Sequence, residues 1–150
     1  MTYQITGISP EQLANVGSAP GTVRVTASSK PGFPCRVTLE DAEPGEELLL
    51  FHHVSHDVDS PYRSSYAIYA RAGAKTAARY TDEVPPIFVG RPLGMRAFGA
   101  DAMLKTARLS LPGDADQTIR QLFELEDIVY IDVHNAAHGC FAARVERFES

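Results

Sequence analysis

The C-terminal end of the chain carries the pattern that most restricts the fold. Val129–Val133 and Phe141–Val145 alternate apolar and polar side chains at a period of two, and a polar loop, Asn135–Gly139, lies between the two runs. That period marks a strand with one buried face, and two such runs around a short loop read as an antiparallel hairpin. Pairing residue 133 with 141 sets 131 against 143 and 129 against 145. It gathers Val129, Ile131, Val133, Phe141, Ala143 and Val145 on one apolar face. A slip of one residue would scatter that set over both faces, so burial itself selects this register.

The remaining elements follow the same logic. Cys35–Glu40 and Glu47–Val54 read as strands around the turn DAEPGE, Ser64–Arg71 as a strand stopped by Gly73, and Leu93–Phe98 with Met103–Leu109 as a hairpin. Ser9-Pro10-Glu11-Gln12 has the form of a capping box that opens a short helix closed near Gly17, and the proline-rich Thr81–Pro92 reads as a loop. Asp114–Glu126 is the clearest helix, with Asp114 as cap, Gln117 completing the box, and Ile119, Leu122 and Phe123 in one apolar stripe. Strands follow strands without alternating helices. This predicts an α+β fold: a mainly antiparallel β-sheet, a helix of the C-terminal half packed on it, and a C-terminal β-hairpin. With no repeat and no linker-like stretch, residues 1–150 read as a single domain.

Charge narrows the partners. Lys and Arg number 14 against 19 Asp and Glu, a net −5, and no basic cluster occurs, so neither nucleic acid nor an anionic membrane is an expected partner. The N-terminal MTYQITGISPEQL has no basic start and no apolar run, and no segment approaches the ~18 apolar residues of a span. A cytoplasmic location is expected, where Cys35 and Cys140 stay reduced. Oligomeric state is not legible.

The opposite face of the hairpin holds the chemistry. Tyr130, Asp132 and His134 lie on one strand, and Cys140, Ala142 and Arg144 on the other. The register sets His134 directly across from Cys140, with Cβ atoms ~4.5–5.5 Å apart, and Asp132 beside it. Thiol, imidazole and carboxylate in line are the ingredients of an activated thiolate, so Cys140 is the candidate nucleophile, His134 its base and Asp132 the orienting group. Arg144, Tyr130 and Arg63, the last in SPYRSS, are candidate ligand-binding residues for an anion. The competing reading is a polar face that simply meets solvent. Cys35 alternates with Val37 and Leu39 and reads as buried, with Arg36 directed away from it.

His52, His53 and His56 form a second cluster, but adjacent strand residues point to opposite faces. A zinc set drawn from His53, His56, His134 and His138 is conceivable, yet the spacing matches no metal motif; no metal and no cofactor are expected. Gly-rich phosphate loops are absent. The sequence thus points to a pocket that binds a small anionic molecule, with thiol chemistry at Cys140. The alternatives are a non-catalytic ligand-binding module and a metal-dependent protein.

Taken together, KPGFPCRVTLEDAEPGEELLL, SPYRSSYAIY, YTDEVPPIF and YIDVHNAAHGCFAARVERF resemble the bacterial family known as domain of unknown function 1203. The resemblance runs over nearly the whole chain. It implies a small single-domain protein and brings no activity, cofactor or catalytic residue with it.

Overall fold

The computed structural model describes residues 1–149. Its strands are β1 (Tyr3–Thr6), β2 (Val23–Thr26), β3 (Glu47–His56), β4 (Ser64–Arg71), β5 (Arg79–Thr81), β6 (Leu93–Phe98), β7 (Leu104–Ser110), β8 (Tyr130–Asn135) and β9 (Phe141–Arg147), with a helix α1 (Ala115–Phe123) between β7 and β8. They form a six-stranded sheet in the order β5-β1-β9-β8-β6-β7 and a three-stranded sheet in the order β2-β3-β4. Every named strand pair is antiparallel. The α+β class, the helix in the C-terminal half and the C-terminal hairpin are all as the sequence predicts. Among the described residues no helix is long and apolar enough to cross a membrane.

One face of the large sheet packs on α1. Ile119 and Leu122 are fully buried there, with Phe123 nearly so, against Tyr3, Ile5, Met95, Ile131, Val133 and Val145. The helix is shorter than its sequence signals predict. Asp114 occupies the N-cap position but makes no side-chain cap bond, and no box closes through Gln117; instead the Thr118 hydroxyl donates to the Asp114 carbonyl at 2.9 Å. At the other end the Arg147 guanidinium donates to the carbonyls of Phe123, Leu125 and Ile128, at 2.9 to 3.0 Å. A cation that takes these carbonyls ends the helix at Phe123 instead of Glu126. A second core joins Leu49, Phe51, Ile68 and Ala70 of the small sheet to Cys35, Val37 and Phe141.

Several expectations need correction. Cys35–Glu40 is not a strand: Cys35 bonds Glu40 and Leu39 within a tight loop, Leu39 is left-handed (φ 57°), and only an isolated bridge joins Pro34 to Asp41. The alternating residues Cys35, Val37 and Leu39 are nonetheless wholly buried. The Ser9 segment forms two short 3-10 turns, Pro10–Leu13 and Val16–Ser18, with the Ser9 hydroxyl capping only Glu11. Strands β1, β2 and β5 are three or four residues long and were not foreseen. Val129 lies outside β8 and is 44% exposed.

Ile119 tests the helix packing. Replacing this fully buried side chain with alanine should lower the unfolding free energy by ~2–5 kcal/mol in urea melts, with little change in m-value.

Candidate functional site

The geometry of the site begins with a bulge. In the C-terminal hairpin Ile131 pairs with Val145, Asp132 with Arg144 and Val133 with Ala143, and then His134 pairs with Phe141. Two residues of β9, Phe141 and Ala142, therefore face one residue of β8. Ala142 goes to the α1 core while Phe141 turns to the core of the small sheet. The predicted pairing of 133 with 141 is two residues out of register, and His134 does not face Cys140 across the ladder.

Each predicted residue accordingly has a different neighbour. Asp132, 1% exposed, receives two bonds from Arg144, at 2.7 and 3.1 Å. Arg144 also reaches the Ser55 carbonyl on β3 and lies over the Tyr130 ring, 4.4 Å from its centroid. The His56 Nδ1 bonds the Tyr62 carbonyl at 2.8 Å, so that nitrogen carries the proton, and Nε2 accepts from the Tyr130 hydroxyl at 2.5 Å. This chain of contacts ties the two sheets together and leaves Arg144 and Tyr130 occupied within the protein. Arg63 is exposed and pairs with Asp57 at 3.3 Å.

His134 is buried between the rings of Tyr66 and Phe141, at centroid distances of 4.9 and 5.8 Å. Its Nδ1 donates to the Gly139 carbonyl at 3.0 Å. Burial pushes its pKa down from 6.5 to about 4, against the opposing effect of that carbonyl. The imidazole is neutral at pH 7.

Cys140 has other partners. Its Sγ accepts from Arg36 Nη2 at 3.2 Å and from Asn135 Nδ2 at 3.3 Å. Arg36 is 1% exposed; its Nε donates to the Phe141 carbonyl and its Nη1 to the Pro34 carbonyl, both at 2.9 Å. Among the described residues no carboxylate forms an ion pair with Arg36. Burial pushes its pKa down, and the adjacent Cys140 acts in the opposite direction. The backbone of Arg36 is fixed from two sides: its N–H donates to the Tyr69 carbonyl on β4, and its carbonyl accepts from Ile8. Gly7 makes the second contact possible, because a Cβ there would stand 2.0 Å from the Val37 carbonyl oxygen.

Beside these two residues opens a cavity of about 630 Å³, within the size range of small-molecule sites. One wall is Tyr66, Ala67 and Tyr69 of β4, and the other is the Asn135–His138 loop. Arg36 and Cys140 also line it, as does Arg91, whose charge is matched by Asp41 at 2.7 Å. Of the residues singled out in the sequence, Cys140 and His138 line this cavity, while His134, Asp132, Arg144, Arg63 and Tyr130 do not. Arg36, Arg91, Asn135 and Tyr66 were missed. Nothing in their spacing marks them, since they meet only through contacts between segments distant in sequence.

The metal alternative is corrected too. Among the described residues no group of three His, Cys, Asp or Glu is placed to hold an ion. His53 packs between Phe51 and Phe141, and His56 is held by Tyr62 and Tyr130.

A family model described as Protein of unknown function (DUF1203) matches residues 32–147. The chain belongs to that family. The matched stretch includes every cavity-lining residue from Gly32 to Cys140. No curated protein and no solved structure matches the chain.

His134 makes stability pH-dependent. Its folded pKa lies below the unfolded one, so the unfolded chain binds more protons between pH 6.5 and 4, and stability falls as pH drops through that window. His53, also lowered by burial, acts in the same sense. His134→Gln should remove most of a loss of about 3 kcal/mol between those pH values, measured by urea unfolding at each pH.

Proposed function

We propose that the protein binds a small anionic molecule in the cavity between β4 and the Asn135–His138 loop, with the Arg36 guanidinium as its counter-charge and the Cys140 thiol as the reactive group beside it. The observation that carries this reading is Arg36 itself: a cation 1% exposed, lining a cavity, with no carboxylate of the described residues paired to it. Burying a charge without an opposite charge is costly, and an anion that enters the cavity recovers the missing interaction. Two of the five guanidinium N–H groups are not used by the bonds to Phe141, Pro34 and Cys140, and these can serve the ligand.

The thiol part of the proposal replaces His134 with Arg36. Arg36 is the cation beside the sulfur at 3.2 Å, and Asn135 supplies a second donor. Cys140 is half-buried, whereas Cys35 is fully buried with its Sγ accepting from the Thr38 and Arg71 amides. Purely passive binding would need the cavity and Arg36 without any reaction at sulfur.

Two alkylating reagents separate these possibilities. In folded protein Cys140 should react before Cys35, and its iodoacetate-to-iodoacetamide rate ratio should exceed that of the urea-unfolded chain by about tenfold, the equivalent of ~1.4 kcal/mol of attraction for the anionic reagent. Arg36→Gln should remove the preference. An unchanged ratio in folded wild-type protein overturns the anion site, and an unreactive Cys140 leaves binding without thiol chemistry.

A further inference from the structure

The cavity has a second recognition element, which the hydrogen-bond alternation of β4 exposes. Ala72 bonds Glu47, which continues the β3-facing series through Ala70, Ile68 and Tyr66; the intervening residues Arg71, Tyr69, Ala67 and Ser65 direct their backbone groups to the other edge. Along that outer edge the Cys35–Arg36 segment takes the first two positions. The Arg71 N–H donates to the Cys35 Sγ at 3.2 Å, and the Tyr69 carbonyl accepts from the Arg36 N–H at 3.0 Å. At Arg36 the segment leaves the edge. The next outward residue, Ala67, is exposed and lines the cavity.

The lining confirms that the cavity lies along this edge. Tyr66 packs with the Ile68 face of the strand, whereas Tyr69 packs with Phe33 on the other face, yet both residues and Ala67 border the same space. Residues of both faces can border one space only at the strand's edge. An unpaired edge offers an N–H and a C=O, the groups an extended chain requires.

Resting on the anion-binding reading above, we infer that the ligand is an extended peptide that ends in a free carboxylate: its amide continues the β4 edge at Ala67 and its terminal carboxylate meets Arg36. Strand addition supplies the backbone bonds and the buried cation supplies the terminus, a combination of two known modes of peptide capture. The tyrosine and alanine walls are open to side chains of the penultimate residues. A simple inorganic anion would use Arg36 and ignore Ala67. A neutral strand would use Ala67 and leave Arg36 unmatched.

Amide NMR of the full-length protein, titrated with N-acetyl-trialanine, tests this directly. The free acid should shift the Ala67 amide and slow its hydrogen exchange, and the C-terminal amide of the same peptide should bind on the order of 10- to 100-fold more weakly, as expected on losing a charged hydrogen-bond acceptor. Acetate and inorganic phosphate are the controls. If they bind as tightly as the peptide, or the peptide leaves Ala67 unchanged, the peptide inference falls while the anion site stands. If the amidated peptide binds equally, the carboxylate contact to Arg36 is overturned. If peptide, acetate and phosphate all fail to bind, both readings fall together.

Discussion

The bulge in the C-terminal hairpin is the constraint on which the rest of the site depends. With Phe141 and Ala142 both set against His134, consecutive residues of β9 serve two different cores: Ala142 enters the layer under α1, and Phe141 enters the layer under the small sheet. The same step directs the Phe141 carbonyl at Arg36 Nε and brings the Cys140 sulfur to Arg36 Nη2. An uninterrupted ladder would have sent Phe141 back toward the helix and left the guanidinium without one of its two carbonyl acceptors. The irregularity sits where β9 passes between the two cores, next to Cys140 and Arg36, which line the cavity.

Two arginines in this region solve the burial of charge in opposite ways. Arg144 is matched by Asp132 with bidentate geometry, and that pair is further held by the Ser55 carbonyl and the Tyr130 ring. Removing one partner from such a pair leaves an uncompensated buried ion, at a cost of ~3–5 kcal/mol. Among the described residues Arg36 has no such partner as folded, with two carbonyls and a thiol in place of a carboxylate. Arg144 therefore reads as a structural clamp between sheets. Arg36, in the proposed function, is the group that an anion from outside would match.

The strands with strong punctuation were legible in the sequence. The sequence marks β4 with its boundaries, Ser64–Arg71, because aromatic and β-branched residues follow a serine pair and the breaker Gly73 lies just beyond. The three- and four-residue strands β1, β2 and β5 carry too little pattern to be seen, and they form because longer neighbours offer them an edge. At Cys35, Val37 and Leu39 the period-two signal correctly reported burial but not conformation, since a loop that inserts alternate side chains has the same pattern as a strand. The hairpin register failed for a sharper reason. Burial excludes a slip of one residue, which exchanges the faces, but it is blind to a slip of two, which preserves them. Ile131, Val133, Ala143 and Val145 share the predicted face in either register, so the apolar set alone could not distinguish them. The consecutive apolar run Phe141-Ala142-Ala143 was the available sign that alternation breaks there.

Replacing a histidine by an arginine as the cation beside the thiol changes how the site responds to pH. A histidine directly across from Cys140 would have made the local charge vary around neutrality, the range in which an unperturbed imidazole titrates. The histidine that lies nearby, His134, is instead held neutral by burial, its pKa lowered to about 4, and its one hydrogen-bonded nitrogen is committed to the Gly139 carbonyl. Arg36, although burial lowers its pKa, begins from a value so far above neutrality that the guanidinium keeps its proton at physiological pH. The positive charge at the cavity wall is therefore a fixed feature of the fold between pH 6 and 8 instead of a switch. Under the proposed anion-binding reading, selectivity rests on the protein's own bonding geometry around Arg36, namely the Pro34 and Phe141 carbonyls that hold the guanidinium plane, and not on the protonation state of any histidine.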